Sequence, residues 1–233
     1  MDARVVMVLL CTCLALPASC YDTRDAILPI DPAELDRLLQ APRPSELGRI
    51  LDNIGAVYTH WGRNTCSQDS TLVYEGFVGG TWYKAKGGAA QYLCLPLVPE
   101  YSQFIRKRQG NSNIQTAELE TKSKQIPAFE RQNQHTPVCA VCQAFRRPAY
   151  FMFPARVTCP TGWTKEYDGY LMSAAERQER TEFICVDSEP EVLEGTSKND
   201  NGALLYFIET NTRTSMPDTY MGEKELTCSV CTK

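Results

Sequence analysis

Histidine is nearly missing from this chain: 233 residues hold two, His60 and His135. Histidine-based metal centres and multi-histidine catalysis are therefore poor readings. A surplus of basic charge is missing as well. The formal net charge of −4 offers no overall reason to bind nucleic acid or an anionic membrane. Long apolar runs are confined to the start, and no later stretch approaches the roughly 18 apolar residues of a membrane span. The start itself reads as a signal peptide over residues 1–20. Asp2 and Arg4 precede an apolar run over 5–16, and Ala18-Ser19-Cys20 precedes a cut before Tyr21. The expectation is a soluble, secreted, extracellular protein without a membrane span.

What the chain has instead is cysteine. Eleven in total, less Cys11, Cys13 and Cys20 of the signal peptide, leaves eight. An even count in an oxidising compartment argues for four disulfides. A lipid-anchored Cys20 is the weaker alternative, because Pro17 stands where such a signal wants Leu and the count would be odd.

Those cysteines sit in a repeat. Arg63-Asn64-Thr65-Cys66 recurs as Arg156-Val157-Thr158-Cys159, 93 residues later. Tyr74-Glu75-Gly76-Phe77 is followed by Tyr167-Asp168-Gly169-Tyr170. Gln91-Tyr92-Leu93-Cys94 matches Glu182-Phe183-Ile184-Cys185 at 91, and Leu119-Glu120-Thr121 matches Ile208-Glu209-Thr210 at 89. Cys139-Ala140-Val141-Cys142 matches Cys228-Ser229-Val230-Cys231, again at 89. One order with so little drift indicates a tandem duplication of a unit with four cysteines.

Each unit reads mainly as strands. Residues 71–78, 90–95, 150–157, 182–186 and 203–209 are short runs rich in β-branched and aromatic side chains. Ala117 to Thr121 reads as a poorer version of the last of these. Gly79-Gly80, Gly87-Gly88 and Asn199-Asp200-Asn201-Gly202 read as turns. Before the first unit, residues 21–54 form a leader of different composition. Asp31-Pro32-Ala33-Glu34 opens one short helix, and Leu47, Ile50, Leu51 and Ile54 give the apolar stripe of a second. Neither helix is long enough to stand alone, so the stripe is expected to serve oligomerisation or to pack on the body. The expected organisation is a signal peptide (1–20), a helical leader (21–54) and two homologous disulfide-bonded β subdomains (55–145 and 146–233).

Three chemistries compete for the two CxxC motifs. They can close disulfides with the upstream cysteines of their own units, form a four-cysteine zinc site, or act as redox pairs. Secretion favours the first, and no cofactor is expected. The acidic residues Asp187, Glu189, Glu191 and Glu194 read as a solvated loop face rather than a calcium site. Glu120 and Glu209, like Arg63 and Arg156, recur once per unit and read as architecture. No hydrolase or transferase constellation emerges.

The motifs Cys139-Ala140-Val141-Cys142, Cys159-Pro160-Thr161-Gly162-Trp163, the following Gly169-Tyr170, Gly222-Glu223-Lys224-Glu225-Leu226 and Cys228-Ser229-Val230-Cys231 have a known likeness. The chain resembles the non-collagenous carboxyl-terminal domain of type IV collagen. Through Gly55-Ala56-Val57-Tyr58-Thr59-His60-Trp61-Gly62-Arg63 and Tyr92-Leu93-Cys94-Leu95-Pro96 it is most similar to the short-chain, spongin-like collagens of invertebrates. The resemblance implies a matrix protein, usually trimeric, with nested bridges Cys66–Cys142, Cys94–Cys139, Cys159–Cys231 and Cys185–Cys228. The family's unit has six cysteines where this one has four. No Gly-X-Y tract is present, so no triple helix forms. The expected function is a non-enzymatic extracellular matrix structural or interaction protein, with itself (a homotrimer) and other matrix proteins as partners. The alternative is a lectin-like recognition module binding carbohydrate or a surface, with Trp82, Tyr83 and Trp163 lining a pocket.

Overall fold

The computed structural model describes residues 54–107, 110, 112–122, 126–211, 216–220 and 222–233. The expected signal peptide and the expected leader, apart from Ile54, lie outside the described residues, and with them Leu47, Ile50 and Leu51.

The fold is mainly β. Among the described residues, ten strands run in the order β1 (Val57–Trp61), β2 (Ser70–Gly80), β3 (Leu93–Pro96), β4 (Gln115–Leu119), β5 (Val138–Ala144), β6 (Tyr150–Pro154), β7 (Thr164–Ser173), β8 (Ile184–Asp187), β9 (Ala203–Phe207) and β10 (Thr227–Thr232). One helical turn, α1 (Pro127–Glu130), interrupts them, with proline at its first position and Phe129 buried beneath it. The two CxxC motifs lie in β5 and β10, each paired along both edges with other strands, and all four of their cysteines are buried.

Pairing follows one scheme twice. Among residues 57–144, β1 pairs with β5, β5 with β2, and β2 with both β3 and β4. Among residues 150–232, β6 pairs with β10, β10 with β7, and β7 with both β8 and β9. All of these pairs are antiparallel. Two parallel contacts join the sets, β1 beside β8 at Trp61 and Val186, and β4 beside β9 from Ala117 to Leu119. Seven strands (β7-β8-β1-β5-β2-β4-β9) thereby form a closed circuit, because β9 returns to β7. Among the described residues two strands keep an open side: β6 pairs only with β10, and β3 only with β2.

Both cores draw on both sets of strands. One gathers Val78, Leu119, Phe129 and Cys139 with Met172, Val186 and Leu205. The other gathers Tyr58, Ala140 and Cys142 with Tyr167, Leu171, Cys185 and Val230. Neither set of strands encloses a core of its own.

The repeated glycines have a steric cause. A Cβ on Gly76 would fall on the Leu95 carbonyl oxygen, and one on Gly169 on that of Val186. The turn expected at Gly79-Gly80 is not there: both residues end β2. A side chain on Gly79 would strike Leu95 Cδ1, and one on Gly80 would crowd Ala203 and Tyr92. Close packing, rather than chain reversal, requires these two.

Candidate interaction surface

Four disulfides fasten the strands: Cys66–Cys142, Cys94–Cys139, Cys159–Cys231 and Cys185–Cys228. They are the four pairs named above. Each CxxC gives its two cysteines to two different bridges, so neither is a redox pair and no thiolate is left among them for zinc. The outer bridges span 76 and 72 residues, each worth up to about 4 kcal/mol in the chain-entropy picture.

The junction between the two sets of strands is polar at one point. Glu166 of β7 has no accessible side-chain surface. Its Oε2 accepts from the Tyr58 hydroxyl at 2.9 Å, from Ser70 Oγ at 2.9 Å and from Ser67 Oγ. Its Oε1 accepts from Arg147 Nη2 at 2.8 Å and from Thr232 Oγ1. Burial alone would raise this carboxyl. The hydrogen bonds from Ser67, Thr232, Tyr58 and Arg147 outweigh it and hold Glu166 below the ordinary value of 4.5. The carboxylate thus ties β1, the turn before β2, the β5–β6 connection and the end of β10 to β7.

A second polar contact lies where β1 meets β8. His60 Nε2 sits 2.7 Å from Asp187 Oδ2, and the imidazole stacks on the Tyr167 ring at 4.0 Å. The Tyr167 hydroxyl reaches the carbonyl oxygens of Thr59 and Cys185 at 3.0 and 2.9 Å. After β8 the chain continues along the same junction. Glu191 N–H donates to the Gly62 carbonyl, and the Arg63 guanidinium meets Glu191 at 3.4 Å and the Glu189 carbonyl at 3.0 Å. The residues expected to form a solvated acidic face therefore include two, Asp187 and Glu191, that hold the junction. Tyr92 crosses it in the other direction, its hydroxyl against the Leu204 carbonyl and its N–H on Glu182 Oε1. Burial pushes the Tyr92 phenol up to about 12, so it remains a hydrogen-bond donor.

Beyond the junction several large apolar side chains are exposed. The open strand β3 and the loop after it expose Leu93, Leu97, Val98, Tyr101, Phe104 and Ile105. The open strand β6 carries exposed Tyr150, with Phe151, Met152 and Phe153 half-buried. Phe183 and Ile54 are exposed too. Of the aromatics expected to share a pocket, Trp82 and Tyr83 meet edge to face at 5.6 Å and line one cleft. Trp163 packs on Phe151 at 4.7 Å and does not line it. Among the described residues no helix is long and apolar enough to cross a membrane, and no group of three metal-ligating side chains converges. No known family model matches the chain, and no solved structure matches it.

Proposed function

We propose that this chain is a secreted, non-enzymatic structural protein of the extracellular matrix, a collagen-IV-like domain without its triple helix, and that it assembles with itself as a homotrimer. Tandem duplication is the premise. The repeated sequence motifs and the repeated pairing scheme support it, with β1 to β5 corresponding to β6 to β10. The four bridges and the apolar opening of the sequence support secretion. The saturation of Glu166 by its neighbours supports an architectural use of the polar junction rather than a chemical one.

One observation carries the assembly. Under the duplication, the β1–β8 junction has a counterpart, β6 against β3, and within the chain those two strands do not meet. Side chains that the internal junction buries have exposed counterparts. Ile184 is 4 % exposed and its counterpart Leu93 50 %; Tyr92 is 3 % exposed and its counterpart Phe183 58 %. Tyr167 lies under β1, whereas Tyr74, which reaches the Cys94 carbonyl as Tyr167 reaches that of Cys185, stays exposed. The ion pair has counterparts as well. Arg63 meets Glu191, and Pro190-Glu191 corresponds to Pro99-Glu100 as Arg63 does to Arg156. Placing β6 of one copy against β3 of the next satisfies all of these at once. A head-to-tail contact of this kind closes into a ring or grows into a filament. Three copies, the number the resemblance implies, set six similar halves in a ring.

A charge exchange tests the contact. Arg156→Glu and Glu100→Arg each bring like charges together and should weaken the assembly, since like charges across an interface cost several kcal/mol. The double variant should recover it. Two single variants that assemble normally would remove the β6–β3 contact. The leader stripe of Leu47, Ile50, Leu51 and Ile54 is proposed to add to the association, and a chain starting at Gly55 should then assemble more weakly.

A further inference from the structure

Basic charge is unevenly placed in this acidic chain. Between Gly76 and Thr116 stand Lys84, Lys86, Arg106, Lys107 and Arg108, against one acid, Glu100. That segment is therefore positive by four within a chain that is negative by four. The described bases among these are all exposed, as is Arg180 of a neighbouring loop.

Three of them, Lys84, Lys86 and Arg180, stand at a shaped surface. Two clefts of about 500 and 230 Å³ adjoin, sharing Thr81, Trp82, Ala85, Gly87 and Gly88 in their walls. The larger is completed by Gly110, Ser112 and Asn113, just beyond the basic run. The smaller is completed by Lys86, Arg180, Thr181 and Glu179 of the facing loop. Trp82 is exposed at their common wall, and Lys84 Nζ lies over the Tyr83 ring at 4.9 Å. Gly87 leaves open space where a side chain would stand.

We propose that this face binds a sulfated polysaccharide. An extended, polyanionic sugar chain needs cations spaced along a track and an aromatic face for a pyranose ring, and this surface offers both beside two clefts in series. Ring-stacking and cleft walls would be idle against a flat anionic membrane, although Tyr101, Phe104 and Ile105 beside Arg106 make that the competing partner. The site goes beyond the matrix reading, and its two clefts are lined by none of Leu93, Glu100, Arg156 and Phe183 of the β6–β3 contact.

The test uses the full secreted chain with heparin, unsulfated hyaluronan and phosphatidylserine vesicles as probes. Heparin should bind at physiological salt, with affinity falling steeply as salt rises, and hyaluronan should bind far more weakly. Lys84→Gln with Lys86→Gln should lower heparin affinity about tenfold and reduce the salt dependence. Trp82→Ala should weaken binding while leaving the salt dependence unchanged. Lys198→Gln with Lys224→Gln removes the same charge elsewhere and should change little. Intact mass with four bridges and sedimentation of the same samples separate loss of the site from misfolding or altered assembly. Failure of the wild type to bind heparin, equal losses in the two double variants, or binding to vesicles but not heparin would overturn the proposal.

Discussion

Asp187 holds His60 through a 2.7 Å contact between Oδ2 and Nε2, at the single point where β1 runs parallel to β8. His60 is buried, and its Nδ1 has no hydrogen-bond partner. Removing the carboxylate would leave the whole ring unpaired. Asp187→Ala is therefore expected to cost about 1–3 kcal/mol, read as a lower urea midpoint. Asp187→Asn, which keeps an acceptor, should cost less; equal stability of the alanine variant would show that the contact does not hold the junction.

Glu166 gives the fold a defined acid sensitivity. Its carboxyl is held below 4.5 in the folded chain, so the unfolded chain binds more protons in the window beneath that value. The stabilisation is complete above 4.5 and is lost as pH falls through the folded pKa. Glu166→Gln should be destabilised at neutral pH on the order of 3 kcal/mol, since it removes the carboxylate that balances the largely buried Arg147 charge. Thermal midpoints of the two proteins should converge as pH is lowered below 4.5 and through the folded pKa. A constant gap would assign the loss to packing.

Cys66→Ser and Cys159→Ser open corresponding outer bridges, leaving Cys142 and Cys231 as free thiols. Each loss is expected to cost about 2–5 kcal/mol and to reduce secretion. Thiol labelling of the unmodified protein, denatured but not reduced, should find none of the eight cysteines reactive.

Strand runs and cysteine pairs were legible in the sequence for different reasons. Apolar and β-branched runs at 150–157 and 203–209 announce β6 and β9 because local composition suffices there. The pairing followed from a resemblance, since spacing alone left disulfides, zinc and redox chemistry open. Glu166 does not stand out in the sequence because its partners Tyr58, Ser67, Ser70, Arg147 and Thr232 are scattered along the chain and none is unusual where it stands. Gly79-Gly80 reads as a turn in the sequence because the cause of both glycines, contact with Leu95 and Ala203, lies in other strands. The open edges were illegible for the same reason: whether β3 and β6 find partners is settled by strands elsewhere.

Gly76 and Gly169 should respond unequally to alanine. Both face the backbone of a neighbouring strand, β3 and β8 respectively. β8 is clamped between β7 and β1, while β3 has an open side and can shift. Gly169→Ala is expected to cost about 1–3 kcal/mol as overpacking, and Gly76→Ala less in the separated chain. Chemical denaturation of the two variants compares them directly.

Sedimentation equilibrium of the full chain tests head-to-tail assembly through β6 and β3 most directly. Three times the mass of one chain is the expected result, returning to a single-chain mass in Arg156→Glu and recovering when Glu100→Arg is added. A single-chain mass for the wild type at every concentration examined would contradict it.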